Sequence, residues 1–125
     1  MAVTDCPVPE ISDDEVLIRV KAVGVCGTDY HIYTDEYPTS PPLTVGHEFS
    51  GVVEKTGART EGFAPGDRVI SELGVKACGR CVHCKTGNPH ICPSKKPPGS
   101  EMDGAAAEYI KINCSVNREN DSKEN

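Results

Sequence analysis

Hydrophobic and polar positions alternate over residues 15–23, where Val16, Ile18 and Val20 share one face and Glu15, Arg19 and Lys21 lie on or near the other. A period of two marks a half-buried strand. Leu17 blurs the alternation without destroying it. Short apolar, β-branched runs recur at residues 43–45, 49–53, 67–73 and 107–112, separated by Gly and Pro punctuation such as Ala64-Pro65-Gly66-Asp67. Each predicts a further strand. No segment holds a helical apolar stripe beyond about two turns. The pattern predicts a mainly β domain with a short helix or turn after Gly27.

Residues 74–98 depart from this pattern, because Val82 and Ile91 cannot supply a core for so long an excursion. A loop of that length needs something else to hold it. From Asn117 the chain becomes polar, so residues 117–125 are expected to form a disordered tail after a folded part spanning 1–116.

A chain of 125 residues fits one domain. Its 19 acidic against 13 basic residues give a net charge of −6, which would repel a phosphate backbone, so nucleic acid is not an expected partner. The apolar runs fall far short of the roughly 20 residues that cross a bilayer. The start, Met1-Ala2-Val3-Thr4-Asp5, lacks the basic and apolar segments of a secretion signal. A soluble, cytoplasmic protein with no membrane partner is the expectation. Seven cysteines cannot all pair internally, and with no sign of export reduced thiols are expected.

Cys78, Cys81, Cys84 and Cys92 stand as C-x2-C-x2-C-x7-C. Two-residue gaps let neighbouring thiolates converge through a tight turn, and the wider last gap lets the chain return to close a tetrahedron. Gly79 and Gly87 ease the turns. Zinc suits four sulfurs, and a closed shell of this kind is structural. His83 and His90 lie inside the loop and could replace a cysteine, although four thiolates already complete the shell. An iron–sulfur cluster competes, because Cys92-Pro93 and the two-residue gaps echo a bacterial ferredoxin run whose last gap is three residues. A disulfide pair is a further alternative.

A second constellation falls on either side of residues 30–44. Cys26 lies in Gly24-Val25-Cys26-Gly27-Thr28-Asp29-Tyr30-His31, and His47 and Glu48 lie in Val45-Gly46-His47-Glu48-Phe49-Ser50-Gly51. One thiolate, one imidazole and one carboxylate at strand ends could form a partly open metal site, since catalytic zinc typically keeps three protein ligands and one free position. A lone cysteine is also commonly a small buried hydrophobe, and a lone histidine a hydrogen-bonded core or surface group. Thr28 could simply cap the helix that begins near it. Cys6 and Cys114 match no ligand segment and are expected to be packing residues or free thiols.

Gly46-His47-Glu48, followed by Gly51 and Gly57, resembles the zinc signature of the medium-chain zinc alcohol dehydrogenase family. Cys26-Gly27-Thr28-Asp29 is similar to that family's first zinc-ligand segment, and the four-cysteine loop has the spacing of its structural zinc lobe. Pro65-Gly66-Asp67-Arg68-Val69 and Asp103-Gly104-Ala105-Ala106-Ala107-Glu108-Tyr109 also resemble family stretches, in the same order. The match covers about residues 7–112.

The resemblance implies a GroES-like, partly open β-barrel with short helices and a zinc-bound loop. It implies that Cys26 and His47 bind a catalytic zinc, with Glu48 beside the metal either as a neighbour that does not ligate it or as an alternating ligand. Thr28 would hydrogen-bond the substrate hydroxyl, His31 would be the outer end of a proton relay, and Asp29 would take the other ring proton of His47. The implied parent activity is NAD- or NADP-dependent oxidation of an alcohol, polyol or amino alcohol, with a weak lean toward polyols, sugars or amino alcohols.

The family's nucleotide-binding domain opens with a glycine-rich turn, and no G-x-G-x-x-G occurs in this sequence. No third protein ligand for the catalytic zinc is evident, and the opening strands expected before Pro7 look clipped. The chain is therefore expected to lack hydride transfer alone, with zinc at the four cysteines and weak or absent occupancy at Cys26 and His47. Self-association through the cysteine lobe or an unpaired sheet edge is left open. A non-enzymatic zinc-stabilised interaction module is the alternative function, and an iron–sulfur electron carrier a further one.

Overall fold

The computed structural model describes residues 1–70, 72 and 77–114. Among them, four strands form one antiparallel sheet in the order β3-β2-β1-β4. The strands are β1 (Glu15–Gly24), β2 (Glu48–Thr56), β3 (Arg68–Ile70) and β4 (Tyr109–Asn113), with helices α1 (Gly27–Tyr33) and α2 (Val82–Lys85) and one 3-10 turn at Pro89–Ile91.

The alternation along β1 does what the sequence predicts. Val16 and Ile18 enter the core with Phe49, Ala105, Ile110 and Ile112, and Val20, Val69 and Cys114 pack against its margin. Leu17 is buried as well, and on its side of β1 it lines a hollow with Val8, Pro9 and Ile11 of the N-terminal segment. Glu15 is kept at the strand's entry by Lys111, whose Nζ lies 3.4 Å away, and by the backbone N–H of Ser12, which donates to it at 2.9 Å.

Two expected strands shift or shorten, and one does not form. The run at 67–73 yields only Arg68–Ile70, and its end at Leu73 lies outside the described residues. The run at 107–112 becomes Tyr109–Asn113. Residues 43–45 form no strand: the carbonyls of Thr44, Val45 and Gly46 accept from the N–H groups of Gly104, Ala106 and Ala105, at 2.7, 2.9 and 2.8 Å, out of ladder order. Gly46 has φ +97°, a turn that a regular strand cannot contain. The expected tail at 117–125 also lies outside the described residues, as does the end of the folded part at 116.

β1 and β2 pair from Val16↔Thr56 to Gly24↔Glu48. This register places the segment after β1 beside the segment before β2. Gly51 makes the pairing close, since a Cβ there would sit 2.4 Å from Ile18 Cγ2 and 2.6 Å from the Arg19 carbonyl oxygen.

Candidate metal centres

Among the described residues, two groups bring metal-ligating atoms within 4.8 Å of one another. They are Cys78, Cys81, Cys84 and Cys92, and Cys26, His47 and Glu48.

The first group is built by a short chain excursion with tight turns. Gly79 and Gly87 adopt φ +68° and +76°, conformations that cost a side-chain-bearing residue energy. Cys81 caps α2, its Sγ accepting from the Cys84 N–H at 3.5 Å. The Cys81 N–H donates to Cys78 Sγ and the Cys78 N–H to Cys92 Sγ, both at 3.4 Å. Sulfur–sulfur distances are 3.5 Å for Cys81–Cys84, 3.9 Å for Cys81–Cys92 and 4.0 Å for Cys78–Cys84. A disulfide needs about 2.05 Å, so none of these pairs is bonded. Four sulfurs at about 2.3 Å from a tetrahedral zinc stand about 3.8 Å apart, and the observed spacings bracket that value. A cluster with an iron on each sulfur would hold the thiolates further apart. His83 and His90 do not join the group.

The environment divides the thiols. Hydrogen bonds from the backbone N–H groups of Arg80 and Cys81 hold Cys78 down to about 6. Desolvation, reinforced by the Cys81 sulfur, pushes Cys84 up to about 12. Near neutral pH the metal-free group thus has Cys78 as thiolate and Cys84 as thiol. A metal must displace the Cys84 proton throughout the neutral range, so affinity rises as pH rises. Competition against a chelator between pH 7 and 8 is expected to show at least about a tenfold gain in zinc affinity per unit, the slope of one displaced proton. A flat profile would contradict this assignment. Toward more acidic pH, as Cys78 also takes up a proton, the slope should steepen.

The second group lies where β1 ends and β2 begins. Cys26 is the N-cap of α1, so Thr28 sits inside the helix and does not cap it. Cys26 Sγ and Thr28 Oγ1 are 3.8 Å apart. His47 is buried, whereas Glu48 is exposed at the head of β2. His31 stands three residues beyond Thr28 along α1, exposed, with Nδ1 2.6 Å from Glu36 Oε2. The structure therefore brings Cys26, His47 and Glu48 together, puts Thr28 beside them and leaves His31 on the surface. Cys6 is exposed and Cys114 packs against the core margin, both with free thiols.

Asp29 departs from its expected contact. Its Oδ1 is 3.7 Å from His47 Nδ1, too long for a hydrogen bond. The carboxylate instead accepts from the Cys26 N–H at 2.9 Å and the Gly46 N–H at 3.2 Å. Two further supports were not legible in the sequence. Asp103 Oδ1 accepts from the Thr44 N–H at 2.9 Å, and Gly99 and Gly104 lie against the Gly46 backbone. The stretch beginning Asp103-Gly104 was recognisable as a motif, but its contact 59 residues back was not.

The family model "Alcohol dehydrogenase GroES-like domain" matches residues 12–116. A sorbitol dehydrogenase of Halalkalibacterium halodurans is 42% identical over 109 residues, covering 87% of this chain and 32% of that protein. An L-threonine 3-dehydrogenase of Caldanaerobacter subterraneus is 48% identical over 109 residues, covering 84% and 31%. The solved structure of a zinc-binding dehydrogenase from Sinorhizobium meliloti bound to NADP superposes with a TM-score of 0.80 at 37% identity, covering 89% of this chain and 32% of that one. The chain thus spans about a third of the length of the relatives it matches. Among the described residues, no helix is long and apolar enough to cross a membrane. The motif order, the open antiparallel sheet and the family match place the chain in the medium-chain zinc alcohol dehydrogenase family, of which it carries the GroES-like domain.

Proposed function

We propose that this chain is the zinc-binding catalytic domain of an NAD(P)-dependent alcohol or polyol dehydrogenase, unable to transfer hydride by itself. The observation that carries the reading is the convergence of Cys26, His47 and Glu48 at the β1–β2 junction, alongside a separate converging set of four cysteines. The four cysteines hold one zinc tightly. Cys26, His47 and Glu48 hold a second weakly, because Glu48 is exposed and leaves Cys26 and His47 as the two firm donors where catalytic zinc takes three.

A metal bound at the second set supplies Lewis acidity to an alcohol oxygen. The chain's own residues handle the proton. Thr28 Oγ1 is placed beside Cys26 to accept a hydrogen bond from the substrate hydroxyl. His31, on the same face of α1 and open to solvent, passes the proton outward with Glu36 at its Nδ1. The names of the relatives, sorbitol and threonine dehydrogenases, support polyols and amino alcohols as the substrate class. The nicotinamide cofactor requires a nucleotide-binding unit, and these 125 residues contain no glycine-rich turn to open one.

The test is to assay NAD(P) reduction with sorbitol and threonine, first with the zinc-loaded chain and then with the chain joined to the nucleotide-binding part of a sorbitol dehydrogenase. No turnover is expected from the chain alone, and turnover from the chimera that disappears on Cys26→Ser. A chimera that works equally well with Cys26→Ser would refute the role of the second set.

A further inference from the structure

We infer that Asp29 is a positioning residue that sets the distance between the Cys26 and His47 segments by clamping their backbones, before any ion arrives. The inference rests on reading Cys26, His47 and Glu48 as a metal pocket, but its own observations are independent of metal.

The β1–β2 ladder ends at Gly24↔Glu48, so Cys26 lies beyond the last pair on one side and Gly46 and His47 beyond it on the other. At that point the Asp29 carboxylate bridges the two segments. Oδ2 takes the Cys26 N–H at 2.9 Å and Oδ1 takes the Gly46 N–H at 3.2 Å, across 17 residues of chain. The Asp29 N–H in turn donates to the Cys26 carbonyl at 3.0 Å, which fixes the carboxylate against the first segment. The second segment is held from its other side, where the Gly46 carbonyl accepts from the Ala105 N–H at 2.8 Å. Asp29 is buried, at 6% exposure, so water does not substitute for it.

The chemistry of the clamp calls for a carboxylate. Two N–H donors converge on one side chain, and only a carboxylate presents an acceptor oxygen to each. An asparagine would turn its NH2 toward one of them, leaving a buried donor facing a donor. A glutamate keeps both oxygens but adds a methylene, which pushes the segments apart. The imidazole of His47 is carried by this geometry through the backbone, since its Nδ1 stands 3.7 Å from Oδ1.

Amide hydrogen exchange distinguishes a backbone clamp from a residue that only orients the imidazole. The full chain, given one equivalent of zinc for the four cysteines, is compared with Asp29→Asn and Asp29→Glu. The Cys26 and Gly46 amides are expected to exchange at least about tenfold faster in Asp29→Asn, while the Val53 amide, bonded to the Asp67 carbonyl at 2.9 Å, keeps its protection. Cobalt(II) added as the second equivalent, followed by its thiolate absorption, should bind roughly 10- to 100-fold more weakly to the variant. If Val53 also loses protection in Asp29→Asn, Asp29→Glu decides, with faster Cys26 and Gly46 exchange expected in an intact sheet. Wild-type exchange at both amides in a folded variant would overturn the clamp. Failure of cobalt to bind the wild-type chain would count against the metal pocket, and the exchange rates would still decide the clamp.

Discussion

Replacing Cys81 by serine is expected to abolish tight zinc binding at the four cysteines and to unfold the loop around them while leaving the sheet in place. Cys81 ties the group to the helix that follows: its sulfur lies 3.5 Å from Cys84 and 3.9 Å from Cys92, accepts from the Cys84 N–H, and caps α2. A serine hydroxyl supplies neither a thiolate nor a soft ligand. Structural zinc contributes about 10–16 kcal/mol of apparent binding free energy in small modules, and a quarter of it, about 3 kcal/mol, is at least about a hundredfold in affinity. Residues 78–92 have little else to hold them, since Val82 and Ile91 are exposed and, of these residues, only Cys92 is buried. The central cluster of Val16, Ile18, Phe49, Ala105, Ile110 and Ile112 contains no residue of the loop, so strand protection should survive. Zinc content and exchange protection of residues 78–92 measure the effect, and unchanged metal and melting would refute it.

Gly104→Ala is expected to destabilise the whole domain and loosen the His47 segment together. A Cβ at this position would meet the Gly46 carbonyl oxygen at 2.2 Å, the Val45 carbonyl oxygen at 2.6 Å and Gly99 Cα at 2.7 Å. All three are backbone atoms, so no side chain can swing away. Relief requires opening the bonds from Gly104, Ala105 and Ala106 to Thr44, Gly46 and Val45. Overpacking of this kind costs about 1–3 kcal/mol, and lost buried hydrogen bonds add to it. Gly27→Ala is the control, because a Cβ there meets nothing within 4 Å, and its melting temperature should stay near the wild-type value. Equal melting temperatures for both variants would contradict the packing described at Gly46.

These two cases also mark what was legible in the sequence. The cysteine spacing carried the metal geometry directly, because ligands separated by two residues are neighbours whatever the rest of the fold does. The β1 alternation named Val16 and Ile18 as core for the same local reason. The apolar run at residues 43–45 misleads because the backbone carbonyls of Thr44, Val45 and Gly46 pair with residues 104–106, far along the chain, and not with a strand ladder. The pair of hydrogen bonds that Asp29 accepts from the Cys26 and Gly46 N–H groups is hidden likewise. The motif suggested a partner for the His47 ring, whereas the register of β1 and β2 brings two backbone N–H groups nearer to the carboxylate than the imidazole.

Native mass spectrometry of the purified chain, before and after exposure to a chelator that strips loosely held ions, tests the four-cysteine centre most directly. One zinc per chain should survive in the wild-type protein and be lost in Cys81→Ser, with any second zinc removed by the chelator. A folded chain with no zinc, a brown chain carrying iron, or two zincs held equally tightly would contradict it.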